Sequence, residues 1–199
     1  MKTATLESKF PLLAVENGCI ISKDADITVA YRVELPELFT LTGAEYESMH
    51  STWAKAVKVL PNYSIVHKQD FFIEESYKPD IRDDQGFLSR SFERHFSGRP
   101  YLRHTCYLFL TKTTKERSRT TSGFNALTRN FIIPKEMQDK ETVARFMECC
   151  GQFERIVNDS GLLSITRLTD GEITGTDTSA GIIEKYFSLS QEDTACLQD

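Results

Sequence analysis

The sequence is poor in the features that assign a protein at a glance, and each absence excludes something. No apolar run approaches the roughly 18 residues that a helical bilayer crossing demands, and Met1-Lys2-Thr3-Ala4 opens no signal-peptide pattern. None of the ten glycines is followed by lysine, so the phosphate-cradling loop G-x-x-x-x-G-K-[ST] is missing from these residues. The motifs G-x-G-x-x-G, H-E-x-x-H and G-x-S-x-G are missing as well. The five cysteines (Cys19, Cys106, Cys149, Cys150 and Cys196) are odd in number, two of them are adjacent, and no C-x-x-C occurs. That argues against a disulfide framework and for reduced, buried thiols in a cytosolic protein. Basic residues are in the minority, 24 against 29 acidic, for a net charge of -5. A whole-surface nucleic-acid binder needs the opposite balance.

What is present suits a folded domain. The 199 residues are 40% hydrophobic and 27% charged, without repeats or low-complexity tracts. One α+β domain over 1–190 is expected, with a frayed tail over 191–199. Asn17-Gly18 between two apolar runs predicts a hairpin with strands near 11–15 and 19–22, because both turn residues tolerate positive φ. Ile27, Val29, Tyr31 and Val33 alternate with Thr28, Arg32 and Glu34, the pattern of a strand with one buried face. Thr42 and Glu45 have capping-box spacing. Behind them Tyr46, Met49, Trp53, Val57 and Leu60 follow at helical intervals, so a helix over 43–60 is expected, stopped by Pro61. If the single tryptophan is core, Trp53→Ala costs about 3–5 kcal/mol.

A long strand is expected over 63–74, bulged at Gln69-Asp70, and a short helix from Phe87 to Phe96. A strand over 102–111 comes next, then an exposed basic connection from Lys112 to Asn130. Asp139 is placed to cap a helix over 139–159 whose inner face is Val143, Phe146, Met147, Cys150, Phe153 and Val157, with Gly161 as its stop. A short strand over 162–168 follows. Thr169 and Glu172 repeat the capping-box spacing, but Gly171 and Gly175 weaken a helix there; Ile182 to Phe187 form a last apolar element. The order strand, helix, strand, strand, helix, strand is that of a split βαβ (ferredoxin-like) antiparallel sheet with helices on one face. The N-terminal hairpin and the helical insertion decorate it.

Few residues carry chemistry. His104 and Cys106 share a strand face, a geometric start for a metal site, but no further ligands stand at recognisable spacing and packing is the better reading. His50, His67 and His95 are scattered over other elements. Asp80, Asp83 and Asp84 read as a solvated loop rather than an EF-hand. Tyr107 and Phe109 share a strand face and could stack bases, yet the Gly-and-aromatic RNA-binding signature is missing. The one patch with a functional look is Lys112, Lys115, Arg117 and Arg119. It reads either as a solubilising loop or as a docking site for an anion or acidic protein. No catalytic, cofactor-binding or metal-binding residue is assigned.

Four strings also carry a resemblance: Thr5-Leu6-Glu7-Ser8-Lys9-Phe10-Pro11-Leu12; Leu60-Pro61-Asn62-Tyr63-Ser64 with His67-Lys68-Gln69-Asp70; Thr111-Lys112-Thr113-Thr114-Lys115-Glu116-Arg117; and Gln152-Phe153-Glu154-Arg155-Ile156-Val157-Asn158-Asp159-Ser160-Gly161. Together they resemble the N-terminal domain of the TraG family of Bacteroidetes-type conjugative transposons, over about Thr5 to Ser190. Those proteins are the traffic ATPases of a type IV secretion (conjugation) apparatus, with the nucleotide site in a RecA-like domain further along the chain. The resemblance implies a non-catalytic module without cofactor. It would dock the motor onto conjugation channel proteins at the inner, cytoplasmic face of the cell membrane, and its partners would be those proteins and the ATPase domain. A single-stranded nucleic-acid-binding module of the transfer apparatus is the alternative.

Overall fold

Asn17 and Gly18 adopt φ of 55° and 69°, the left-handed pair that a two-residue hairpin turn requires. They join β1 (Leu12–Glu16) to β2 (Cys19–Ser22). These are among residues 10–82, 84–113 and 140–188, which the computed structural model describes. A second turn, with Ala25 at φ 64°, leads into β3 (Ile27–Glu34). Helix α1 (Gly43–Lys58) starts on the expected reciprocal cap: the Thr42 amide donates to Glu45 Oε2 at 2.8 Å, and Thr42 Oγ1 accepts from the Glu45 amide at 3.3 Å. Next come β4 (Ser64–Ser76), α2 (Phe87–Phe96), β5 (Pro100–Lys112), α3 (Lys140–Asp159) and β6 (Ser164–Arg167). Two short helices, α4 (Asp170–Thr174) and α5 (Ile182–Ser188), close the described chain.

Among the described residues every strand pairing is antiparallel. β5 lies between β3 and β4, and β6 joins the free edge of β3 through Tyr31–Glu34. The lateral order β6, β3, β5, β4 is the split βαβ arrangement expected from the order of elements. The hairpin extends it, since β2 pairs with Ile27–Val29 on the same edge of β3 that β6 occupies further along.

The principal core lies between the sheet and the pair α1/α3. Val29, Tyr31 and Val33 of β3 and Cys106, Leu108 and Leu110 of β5 meet Phe146, Cys150, Phe153 and Val157 of α3. The inner face of α3 is thus the expected one, and the Tyr31 hydroxyl donates to the Cys150 carbonyl at 3.3 Å. In α1 the buried positions are Thr52 and Ala56, with Met49 and Trp53 half-buried beside them. Tyr46 and Val57, expected in that stripe, are exposed; Ala56 is the residue buried in this turn, and Val57, the next along, lies about 100° round the helix from it. Trp53 packs against Phe153 with ring centroids 5.9 Å apart.

Other expectations need correction. β3 is buried on both faces at its centre: Ala30, with Ile20 and Tyr107, packs under Leu168, Ile173 and Ile182 in a second, smaller core. α4 forms despite its glycines, on a second complete capping box between Thr169 and Glu172. Gly175, expected only to weaken a helix, has a part in the turn, and so does Gly181. Gly175 takes φ 100°, and a Cβ on Gly181 would overlap the backbone of Thr174 and Gly175, so the turn between α4 and α5 closes only on glycine. The bulge at Gln69-Asp70 does not occur; Ser64↔Lys112 through Ser76↔Pro100 run in unbroken register. The Asp139 cap, the loop from 114 and the tail from 191 lie outside the described residues.

Candidate interaction surfaces

The basic patch divides. Lys112 is buried at the end of β5, where its ammonium donates to the carbonyls of Asn62 at 3.0 Å and Thr113 at 2.8 Å. It also sits 5.6 Å from the centre of the Tyr63 ring. Tyr63 holds φ 63°, and the lysine ties this strained turn to the adjacent strand. Lys112 is therefore a structural cation, not part of an exposed docking patch. Lys115, Arg117 and Arg119 lie outside the described residues. Tyr107, one half of the suggested stacking pair, is buried beneath α4 and α5 and meets Phe71 edge-on at 5.9 Å, so the middle of that sheet face is closed to bases.

His104 and Cys106 do share a face of β5, and β4 brings Lys68, Asp70 and Phe72 beside them. His104 Nε2 lies 2.8 Å from Asp70 Oδ1, and the Lys68 ammonium lies 2.7 and 2.6 Å from the two Asp70 oxygens. The Phe72 ring stacks on His104 with centroids 4.5 Å apart. The hydrogen bond from Lys68 leads in holding the Asp70 carboxyl down to about 2, with His104 and Cys106 adding to it, against partial desolvation. Burial pushes the Cys106 thiol up to about 11, which leaves it protonated and unreactive at neutral pH. The imidazole is engaged with the carboxylate rather than the thiol, so this is no Cys-His nucleophile pair. Among the described residues no group of three or more His, Cys, Asp or Glu is placed to hold a metal ion.

Among the described residues two apolar surfaces stand out, and the sequence pattern disclosed neither. The first is a groove of 570 Å³ on the sheet face opposite α1 and α3, lined by Phe10, Leu12, Ile20, Phe109, Ile182 and Phe187 among others. α5 forms one wall, with Tyr186 and Phe187 half in solvent. The second is an arm. Beyond Cys106, where β3 stops pairing, β4 and β5 continue alone from Phe71↔Thr105 to Ser76↔Pro100. That two-stranded ribbon projects about 20 Å at 3.4 Å per residue and carries α2 at its tip. No residue of α2 is buried, and Phe87, Leu88 and Phe92 are 78%, 81% and 56% exposed. The expected helix was legible from its spacing, but its exposure was not, because an amphipathic stripe normally signals a covered face.

A family profile described as "Domain of unknown function, B. Theta Gene description" (DUF3875) matches residues 1–51. That stretch takes in the β1–β2 hairpin, β3 and the N-terminal half of α1. No curated protein matches the chain. No helix among the described residues is long and apolar enough to cross a membrane.

Proposed function

We propose that this chain is the non-catalytic N-terminal domain of a conjugative-transfer (type IV secretion) ATPase of the TraG kind, an adaptor that docks the motor to other channel components at the cytoplasmic face of the cell membrane. The observation that carries the reading is the pairing of an exposed apolar arm tip and an open apolar groove on a sequence without a triphosphate-gripping loop. Exposed apolar patches of this kind mark interaction surfaces. The strings around Leu60–Asp70 and Gln152–Gly161 supply the family, and both lie in the framework of the fold, on the α1–β4 connection and on α3. The domain contributes shape and contact; turnover belongs to the ATPase domain of the full-length family.

Two measurements test this. Calorimetric titration of the chain with ATP and magnesium should be flat, and a saturable isotherm sinks the non-catalytic half of the reading. Co-purification with the inner-membrane components of a conjugation apparatus should succeed with the wild type and fail when the groove is blocked by Ile183→Arg. Retention of every partner by that variant and by a chain lacking the arm would remove the docking half.

A further inference from the structure

The arm tip sorts its side chains by chemistry around the helix. Phe96 and Glu93 face the ribbon: Phe96 meets Tyr77 at 6.3 Å between ring centroids, and Glu93 Oε2 accepts from the Tyr77 hydroxyl at 2.8 Å and the Asp80 amide at 2.9 Å. The acid of α2 is thus turned inward. With 3.6 residues per turn, Phe87, Leu88 and Phe92 share the next flank with Ser91 and the exposed His95, and Arg90 and Arg94 occupy the one beyond it. Neither arginine forms an ion pair among the described residues. Arg99 stands over the Phe96 ring at 5.5 Å and adds a third cation at the tip. In a chain of net charge -5, this helix presents Arg90 and Arg94 beside two exposed phenylalanines and a leucine, and residues 78–99 carry five basic against four acidic side chains, the acids being Glu93 and the preceding loop's Asp80, Asp83 and Asp84.

We propose that the tip of the arm is a membrane-surface contact for an anionic bilayer, with Phe87, Leu88 and Phe92 at the boundary of the acyl chains and Arg90 and Arg94 against the headgroup phosphates. An apolar flank running beside a cationic one along a helix is the arrangement that lies in the plane of a bilayer surface. Ten residues give about 15 Å of helix against about 30 Å of hydrocarbon, so the helix lies on the membrane and does not cross it. The charge favours a bilayer with acidic headgroups over a neutral one, at a contribution from each arginine that fades with salt. Projection on a ribbon carries the helix clear of the acidic body, which the same surface would repel. The inference stands on the arm alone and fails or holds separately from the adaptor reading.

The test is co-sedimentation of the full chain with vesicles of equal parts phosphatidylglycerol and phosphatidylcholine, and with pure phosphatidylcholine vesicles. The wild type should partition onto the acidic vesicles and not the neutral ones. Phe87→Ser with Leu88→Ser, and separately Arg90→Gln with Arg94→Gln, should each weaken partition about tenfold or more, the arginine pair only at low salt. All four side chains are solvent-exposed, so both variants should keep the unfolding midpoint of the wild type. A Phe87→Trp variant gives a reading that does not depend on lost binding: its indole emission should shift to the blue with acidic vesicles, while Trp53 on the far core reports no change. Absence of wild-type partition, equal partition onto neutral vesicles, or unaltered partition of both paired variants overturns the proposal. So does loss of concentration-dependent self-association in the variants, which would make the tip a contact between copies of this chain.

Discussion

Gly181→Ala is the sharpest probe of the second layer. The added Cβ would overlap the backbone of Gly175 and Thr174 and lie 2.6 Å from the Ile173 carbonyl oxygen. All three neighbours are backbone, so no side chain can swing away; α5 must shift off α4. Forced shifts of this kind cost about 1–3 kcal/mol. Against that, α4 and α5 are held mainly by burial of Ile173 and Ile182, about 1.5–3 kcal/mol for each side chain. The substitution therefore consumes a large share of the docking free energy without touching the core between the sheet and α1/α3. A loss of 1–2 kcal/mol multiplies the open population about 5- to 30-fold. Hydrogen exchange read by mass spectrometry should speed up by that factor at the amides of Gly175 and Lys185, which donate to Gly171 and Gly181. Fluorescence of Trp53, the single tryptophan and packed on the opposite side of the sheet, should report a global transition moved much less. Unchanged exchange over 170–188 would show that the turn does not need glycine. An equal loss by both probes would show that the second layer is inseparable from the main core.

Three further outcomes follow from the same contacts. Phe153→Ala removes a fully buried ring from the centre of the main core and should cost about 3–5 kcal/mol by urea denaturation; Trp53→Ala, half-buried beside it, should cost less. Thr42→Ala breaks the reciprocal cap of α1 and should cost about 1 kcal/mol, with Thr42→Ser restoring most of it. Asp70 titrates at about 2 in the folded state, below the ordinary carboxylate value of about 3.9. Its stabilising contribution is fully present above that ordinary value and is lost as pH falls through about 2. Asp70→Asn should therefore lower stability by about 1 kcal/mol at neutral pH, discounted for partial exposure, and the gap to the wild type should close between about pH 4 and pH 2. A gap independent of pH would remove the Lys68 and His104 bonds from the account.

The parts of this fold that local chemistry dictates were legible, and the parts that depend on what covers a surface were not. Asn17-Gly18 signals its turn because only residues at ease with positive φ fit there. Thr42–Glu45 announces the start of α1 because the spacing satisfies two otherwise unpaired amides. The antiparallel order follows from element succession with the crossover rule. Two adjacent polar residues interrupt an apolar strand at Gln69-Asp70 and suggest a bulge, whereas Asp70 stays in register opposite Cys106 and bonds across the ladder to His104 and along its own strand to Lys68. Ala30 was invisible as a second-face core residue, since alanine is too small to mark a stripe, and its partners Leu168, Ile173 and Ile182 stand more than a hundred residues away. Lys112 looked like the head of a basic patch because a sequence shows its charge and not the carbonyls of Asn62 and Thr113 that turn it inward. The arm inverts this. Its helix follows the same periodicity that buries α3, yet Phe87 and Leu88 are exposed among the described residues. Periodicity therefore reports that a face seeks an apolar environment, and only the fold reveals whether the chain itself supplies one. Where it does not, as at this tip, the unmet face is where an outside surface must be sought.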